Sequence, residues 1–193
     1  MPQRSRHYIL YHVPELKSYR RSEIPRDLAI QIASYVRTQW PNLAGRRTPL
    51  WESLYPSIDR THFVITDTDV LISHAIAHGR ALTHAGESWD VWGLSSVFTY
   101  PTHRGSGFGE QVVAAATQHI RQQQGADFAL LFCGERVKSL YFRQGWQHLP
   151  HLRVHFGENQ CFNDGYCLAL LLTDRARAHD FSTEPLHVGP YTW

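Results

Sequence analysis

The sequence predicts a fold of the α/β (α+β) class, with a single mixed, mostly antiparallel sheet flanked by helices. Its 193 residues suit one domain, and a hydrophobic share of 42% provides for a sizeable core. Apolar residues alternate in several short segments, as in strands, and recur at helical spacing in others. In chain order the segments read β-α-β-β-β-loop-α-β-α-β-β, which a mixed sheet with helices on its faces accommodates.

The first part of the chain is predicted to hold one strand, one helix and a long loop. Apolar residues at helical spacing predict the helix, and Pro41 ends it. Prolines and a glycine indicate the loop that follows. The predicted elements are a strand over His7–Val13, a helix from Ser22 or Pro25 to about Gln39, and a loop over Asn42–Asp59 with a helical turn around Trp51–Tyr55.

Three strands are predicted next, joined by two short turns. His62–Thr66 is β-branched and aromatic, and Val70–Thr83 alternates apolar with polar residues as a half-buried antiparallel strand does. Trp89–Thr99 is the third strand, and Pro101 ends it because proline cannot donate to a strand ladder.

The last part of the chain is predicted to close the sheet. Asp127–Cys133 is short and strongly apolar, which favours a strand buried on both faces and parallel to its neighbour. The segment after Leu172 shows little periodicity. The remaining predicted elements are helices over about Gly109–Gln124 and Arg136–Gln144, and a final pair of strands over His151–Phe156 and Tyr166–Leu172.

Composition excludes several classes of protein. The formal net charge of +2 is too balanced for a nucleic-acid binder, and no apolar run is long enough to span a membrane. Three cysteines without CxxC spacing argue against a disulfide framework and a structural zinc site. The basic N-terminus is not followed by the apolar stretch of a signal peptide, so we expect a cytoplasmic protein. The 13 histidines predict a strongly cationic protein at mildly acidic pH.

The strongest chemical signal is the glycine-rich segment RGSGFG, Arg104–Gly109, between a strand and a helix. Alternate glycines let the backbone turn tightly and let a ligand approach it closely. The helix that follows directs its free N–H groups and positive dipole end at the loop, which suits a phosphate or pyrophosphate. A Walker A loop requires a lysine that is absent here, and the Rossmann fingerprint GxGxxG is one residue longer.

This loop resembles the [Q/R]-x-x-G-x-[G/A] motif of the GNAT superfamily of N-acetyltransferases. About 30 residues later, Leu140–Trp146 is similar to the family's L-Y-x-x-x-G-[F/W] signature. The resemblance is strongest over Asp90–His148 and implies one acetyltransferase-like domain over residues 1–193. It also implies a core at about 62–172 and a C-terminal extension at 173–193. Acetyl-CoA is the implied co-substrate, and no metal is expected.

The resemblance also implies which groups hold acetyl-CoA. The strand before the loop leaves backbone groups free, and the pantetheine arm pairs with them as an added strand. Backbone N–H groups near Val97 and Phe98 hold the oxyanion, and Tyr141 donates a proton to the departing thiolate. The Arg104 side chain adds a charged contact to the pyrophosphate. The implied cofactor-binding residues are Val97, Phe98, Thr99, Arg104, Gly105, Ser106, Gly107, Phe108 and Gly109.

Two positions depart from the family's pattern. Some members carry a glutamate as general base in the strand before the loop, and the position to compare here is Ser95. Many members carry an asparagine at the position of Gly134, where it bonds the pantetheine arm. A water held by Ser95 is one candidate base, and nearby side chains remain as alternatives: His74, His78, His84, Glu87 and Asp90.

The acceptor is less defined than the donor. Within the superfamily, Trp146, the long Val70–Thr83 strand and the terminal tryptophan resemble aminoglycoside 2′-N-acetyltransferases, which implies that the carboxylate of Trp193 enters the acceptor site. We expect an amine of a small molecule or peptide. Neither a nucleic acid nor a membrane is expected as a partner, and a homodimer is left open.

Two alternatives remain. One is a non-catalytic acyl-CoA-binding or regulatory module on the same fold. The other is a metal at His148, His151 and His155, whose spacing suits a helix; Pro150 and the strand predicted over His151–Phe156 argue against it.

Overall fold

A computed structural model describes residues 13–41, 60–149, 151–158, 160–161 and 165–189. Two short 3₁₀ turns, at Pro101–His103 and Glu135–Val137, interrupt the regular elements. The elements are β1 (Glu15–Arg20), α1 (Arg26–Gln39), β2 (Thr61–Asp67), β3 (Val70–His84), β4 (Glu87–Thr99), α2 (Phe108–Arg121), β5 (Phe128–Cys133), α3 (Lys138–Phe142), β6 (Gln147–His148), β7 (Val154–Phe156), β8 (Gln160–Cys161), β9 (Tyr166–Leu171), α4 (Asp174–Ala178) and β10 (Leu186–His187).

Seven strands form one sheet in the order β1-β2-β3-β4-β5-β9-β6. Every neighbouring pair is antiparallel except β4 and β5, which run parallel. A second sheet has the order β10-β7-β8. The predicted mixed, mostly antiparallel sheet with flanking helices is therefore confirmed, as is the parallel pairing of β5.

The last strands pair differently from the prediction, which was wrong on this point. The predicted pair was His151–Phe156 with Tyr166–Leu172, whereas β9 lies between β5 and β6, and β7 pairs with β8 and β10 in the second sheet. The physical reason is burial. Four of the six β9 residues are buried, and a place inside the large sheet covers them on both faces.

Strand β1 was also missed, because its residues are almost all exposed and show no apolar alternation. Within the described ranges it is an edge strand, and it pairs through its backbone with β2. The strand predicted over His7–Val13 lies outside the described residues except for Val13, which precedes β1. The predicted loop Asn42–Asp59 and the turn at Trp51–Tyr55 also lie outside them.

The two faces of the sheet carry separate apolar clusters. On one face, α2 buries Val112, Val113, Ala116 and Ile120 against the sheet. On the other, α1 packs Leu28 and Ile32 with residues of β2 to β4 such as Val64, Leu71 and Phe98. The C-terminal segment joins a third cluster, where Ala176, Phe181, Leu186 and Val188 pack with Trp89 and Phe128.

Candidate functional site

Strands β4 and β5 part in the middle of the sheet. Their pairing covers only Val91–Gly93 against Phe128–Leu130. Strand β5 continues to Cys133, but beyond Leu130 its partner among the described residues is β9 alone. The second half of β4, from Leu94 to Thr99, therefore borders a gap on its β5 side.

A bulge in β4 lies beside this gap. Ser95 pairs with Ile76 and Phe98 pairs with His74, so that Ser96 and Val97 together oppose the single residue Ala75. Ser96 has a φ of 51°, in the left-handed region that a non-glycine residue seldom adopts. The extra residue bends β4 and re-aims the peptide groups that follow it.

The direction of these peptide groups follows from strand geometry. The N–H of Tyr100 donates to the carbonyl of Ile72 on β3 at 2.9 Å. Successive N–H groups of a strand point to opposite sides, so those of Thr99 and Val97 point away from β3 and into the gap. Backbone N–H donors of β4 therefore line the gap next to the bulge.

The glycine loop lies just beyond the end of β4 and opens α2. Gly105 and Gly107 have φ values of +83° and +81°, which explains why glycine stands at both positions. The first hydrogen bond of α2 runs from the N–H of Gln111 to the carbonyl of Gly107 at 3.1 Å. Between Gly105 and Glu110, no backbone N–H donates to an acceptor within the described part of the chain. These donors and the positive end of α2 favour an anion.

The side chain of Arg104 is held by protein groups. Its Nε donates to the carbonyl of Thr99 at 3.1 Å, and its Nη2 donates to the hydroxyl of Tyr35 at 3.1 Å. The Tyr35 ring stacks on Phe98 with ring centroids 4.1 Å apart. Arg104 thereby ties α1 and the end of β4 to the start of the loop. Sequence patterns gave no indication of this role for Tyr35.

Tyr141 lies on α3 and faces the core beside β5. It is buried with Val113, Leu131 and Cys133 among its cluster. Burial and the nearby Cys133 thiol raise the pKa of the Tyr141 hydroxyl above its ordinary value. The hydroxyl therefore stays protonated throughout the physiological pH range, as a proton donor must.

The rest of the segment Leu140–Trp146, LYFRQGW, fixes the position of α3. Gly145 has a φ of +84° and turns the chain, and the indole Nε1 of Trp146 donates to Thr117 Oγ1 of α2 at 3.0 Å. Arg121 of α2 donates to the carbonyl of Gln144 at 2.8 Å. The motif thus attaches α3, and with it Tyr141, to the helix that begins at the glycine loop.

The candidate bases divide into two groups by position. Ser95 is half-buried one residue before the bulge, and His74 lies across from Phe98 on β3. Asp90 and Glu87 lie toward the other end of β4, with Asp90 about 16 Å from Ser95 at ~3.3 Å per residue. Asp90 there bonds Asp127 through the Asp90 N–H, 3.0 Å from Oδ2 of Asp127.

The other histidines of β3 are buried as well. Burial and the charges of Arg60 and Arg80 lower the pKa of His78 to about 2. His84 lies at the β3–β4 turn, where its Nδ1 is 2.8 Å from Nε2 of His179. Neither histidine adjoins the bulge in the register of β3 and β4.

Other predictions from the sequence concern metals, thiols and the C-terminus. Within the described ranges, no group of three or more His, Cys, Asp or Glu side chains is arranged to hold a metal. The three cysteines are free, with Cys133 and Cys167 buried and Cys161 exposed. Trp193 lies outside the described residues. No helix in the described part of the chain has the length and apolar character to cross a membrane.

Comparison with solved structures returns proteins of one fold. YhbS from Escherichia coli, a GNAT family N-acetyltransferase in complex with CoA, is similar at a TM-score of 0.62 and 19% identity, over 96% of this chain and 93% of that chain. NAA60 from Arabidopsis thaliana in complex with acetyl-CoA has a TM-score of 0.59 and 11% identity, over 82% of this chain and 99% of that chain. An acyl-CoA N-acyltransferase from Pseudomonas aeruginosa has a TM-score of 0.54 and 12% identity, over 81% and 99%.

At these identities the structures establish the fold alone, and a search of curated protein sequences returns no significant match. A family model gives the assignment. The model described as "Acetyltransferase (GNAT) domain" matches residues 15–149, which span β1 to the end of β6 and include both the glycine loop and the LYFRQGW segment. The chain therefore belongs to the GNAT acetyltransferase domain family.

Proposed function

We propose that this protein is an acetyl-CoA-dependent N-acetyltransferase that moves an acetyl group to a primary amine of a small molecule or peptide by direct attack. The observation that carries the proposal is the gap between β4 and β5, which opens beside a glycine loop whose N–H groups have no acceptor among the described residues. Similar structures hold CoA, in YhbS of Escherichia coli, and acetyl-CoA, in NAA60 of Arabidopsis thaliana.

The backbone around this gap fits acetyl-CoA in two places. The N–H groups from Gly105 to Glu110 bind the pyrophosphate at the positive end of α2. The exposed edge of β4 over Val97–Thr99 pairs with the amides of the pantetheine arm, as an added strand would. Since Arg104 already bonds Thr99 and Tyr35, backbone groups rather than its guanidinium supply most of the pyrophosphate contacts.

The reaction needs a donor to the thioester oxygen and a donor to the thiolate. When the nitrogen of the amine attacks the thioester carbon, negative charge develops on the carbonyl oxygen, and the N–H of Val97 stabilises it from the β4 side of the gap. The C–S bond then breaks, and Tyr141 gives its proton to the sulfur, so that CoA leaves as a thiol. The Tyr141 hydroxyl is protonated at neutral pH, so the proton is present when the C–S bond breaks.

The amine must lose a proton before or during the attack. We propose that a water held by Ser95 takes it, because Ser95 is half-buried beside the bulge. Glu87, Asp90 and His84 are less suited, because they lie toward the far end of the β3–β4 hairpin.

The acceptor is proposed only as a class. The resemblance to aminoglycoside 2′-N-acetyltransferases predicts a sugar amine and a role for the carboxylate of Trp193. The broader proposal is a small molecule or a peptide with a primary amine. A homodimer is the proposed alternative to a monomer.

A second candidate is an acyl-CoA-binding or regulatory module without turnover. The observation that favours it is Ser95, which has no carboxylate where some family members carry their base. The donor site would be unchanged in this case, so ligand binding alone does not separate the two candidates.

The two candidates are separated by measuring binding and turnover on the same sample. We expect CoA and acetyl-CoA to raise the melting temperature of the protein, and we expect one or more amines of a panel to release CoA as free thiol. The panel includes sugar amines, polyamines and peptide α-amines. Binding without thiol release would favour the regulatory module, and no stabilisation by CoA would overturn both.

A further inference from the structure

Two buried histidines lie in line behind the β4 bulge. Nδ1 of His62 is 3.1 Å from Nε2 of His74, and Nδ1 of His74 is 2.9 Å from the carbonyl oxygen of Ser96. His62 is 4% exposed and His74 is completely buried. Burial lowers the pKa of both imidazoles, that of His62 to about 4, so both rings are neutral at pH 7.

The hydrogen-bond partners determine which nitrogen of each ring carries the proton. A carbonyl oxygen only accepts, so Nδ1 of His74 carries its proton and donates to Ser96. Nε2 of a neutral His74 is then an acceptor, which requires that Nδ1 of His62 donates to it. The two rings thus form a chain of donors that runs from His62 through His74 to Ser96.

The Ser96 carbonyl belongs to the same peptide unit as the N–H of Val97. In a trans peptide these two groups point in opposite directions, and this chain has no cis peptide bond among the described residues. Holding the oxygen of Ser96 toward His74 therefore aims the N–H of Val97 the other way, into the gap beside β4. A hydrogen bond to the carbonyl also polarises the peptide and makes its N–H a stronger donor.

We propose that His74, oriented by His62, is a positioning residue that holds the Ser96–Val97 peptide so that the Val97 N–H points at the oxygen of the acyl group. The proposal rests on the function proposed above. It accounts for the left-handed φ of 51° at Ser96 and for the burial of two bonded imidazoles, of which His74 lies beside Phe98. It also removes His74 from the candidate bases, because both of its nitrogens are already engaged.

The test compares two substitutions at His74. In His74→Asn the side-chain amide nitrogen can take the place of Nδ1 and donate to Ser96, whereas His74→Leu has no donor. We expect His74→Leu to lower kcat at least about tenfold, as expected when an oxyanion donor is misaligned. The Kd for CoA, which lacks the acyl oxygen, should stay within about twofold, and His74→Asn should recover most of kcat.

A matched control breaks the contact between another pair of neighbouring histidines by replacing one of them. His179→Asn disrupts the 2.8 Å contact with His84 at the far end of β3, away from the bulge. We expect it to change stability without changing kcat. A kcat as low as that of His74→Leu would assign the loss to stability and overturn the proposal.

Nitrogen-15 NMR of the wild-type protein provides a readout that needs no substrate and no variant. We expect the protonated nitrogen of both His62 and His74 to be Nδ1, and a proton on Nε2 of His74 would overturn the proposal. Wild type that neither binds CoA nor releases thiol would overturn the proposed function, and this role with it. Wild type that turns over, with His74→Leu folded and equally active, would overturn the positioning role alone.

Discussion

Burial decides what the Tyr141 hydroxyl can do. The ring is 6% exposed on a short helix, and its surroundings raise the pKa of the hydroxyl above the ordinary value near 10. The phenolate is therefore not formed in the working pH range, which excludes Tyr141 as a base and suits it to donate a proton. Its position depends on Trp146 and Gly145, which fix the end of the same helix.

Replacing Tyr141 by phenylalanine tests this role. We expect Tyr141→Phe to lower kcat by about 100-fold, since the thiolate must then leave without a proton donor. The Kd for CoA should change little, because the ring and its packing remain. The measurement is thiol release with the best amine of the panel. Tyr19→Phe, on the edge strand β1, is the control and should leave kcat unchanged.

The identity of the base is tested at Ser95. We expect Ser95→Ala to lower kcat at least about tenfold by removing the hydroxyl that holds the water. Ser95→Glu restores the carboxylate that some family members carry, and we expect it to be more active than Ser95→Ala at neutral pH. Unchanged activity in Ser95→Ala would exclude Ser95 from the reaction. The pH profile of kcat/KM for all three proteins supplies the comparison.

At the scale of an element, the loop and α2 act as one unit. The left-handed Gly107 is the N-cap residue of α2, and in the described part of the chain the N–H groups from Phe108 to Glu110 have no helical acceptor. At Gly109 the space for a side chain is limited, because an added Cβ would lie 3.2 Å from Thr99 Oγ1. The loop therefore packs directly on the end of β4, which brings the anion site next to the gap.

A comparison of alanine substitutions at Gly107 and Gly86 separates the effect of backbone strain on stability from the effect on CoA binding. Gly107 has a φ of +81° with open space around an added Cβ, and so does Gly86 in the β3–β4 turn with a φ of +75°. We expect both Gly107→Ala and Gly86→Ala to lower the unfolding free energy by about 1 kcal/mol, since each forces alanine into a left-handed conformation. Only Gly107→Ala should weaken CoA binding, by at least about tenfold in titration calorimetry. Equal CoA affinities would argue against the loop as the pyrophosphate site.

For the whole molecule, burial reduces the positive charge that the histidines carry in mild acid. The 13 histidines predict a large positive charge at mildly acidic pH. In the folded protein, burial is the first cause that lowers the pKa of five of them, so each takes up its proton at a lower pH than it does in the unfolded chain. These are His62, His74, His78, His119 and His179.

Folding stability should therefore fall in mild acid. Each lowered pKa means that the unfolded chain binds a proton that the folded chain does not. The corresponding stability is complete above pH 6.5 and is lost as the pH falls toward about 4 for His62 and about 2 for His78. We expect each of His62, His74 and His78 to contribute a slope approaching ~1.4 kcal/mol per pH unit within that window.

Urea unfolding at several pH values between 7.5 and 4.5 measures this slope. His74→Asn, which removes one buried imidazole, should make the dependence shallower. His148→Gln, at an exposed position, should leave it unchanged. A stability that is flat between pH 6.5 and 4.5 would contradict the neutral state of the buried histidines.

Local sequence signals predict the elements from β2 to β5 and two motifs of the site. Strand and helix bounds from β2 to β5 follow from local periodicity, and RGSGFG marks the left-handed turn because only glycine adopts that backbone without strain. The same sequence placed the tyrosine of the LYFRQGW segment on a short helix. Each of these signals is contained in a few consecutive residues, so no knowledge of the fold was needed to find it.

The way in which distant segments meet becomes visible in the folded chain and not before. The gap beside β4, the bulge at Ser96, the place of β9 and the contacts of Arg104 and His74 depend on which strands pair and in what register. His74 is 12 residues from His62 and 22 from Ser96, and no local pattern records those separations. The physical reason is that a hydrogen bond between strands depends on register, and register is set by burial over the whole sheet.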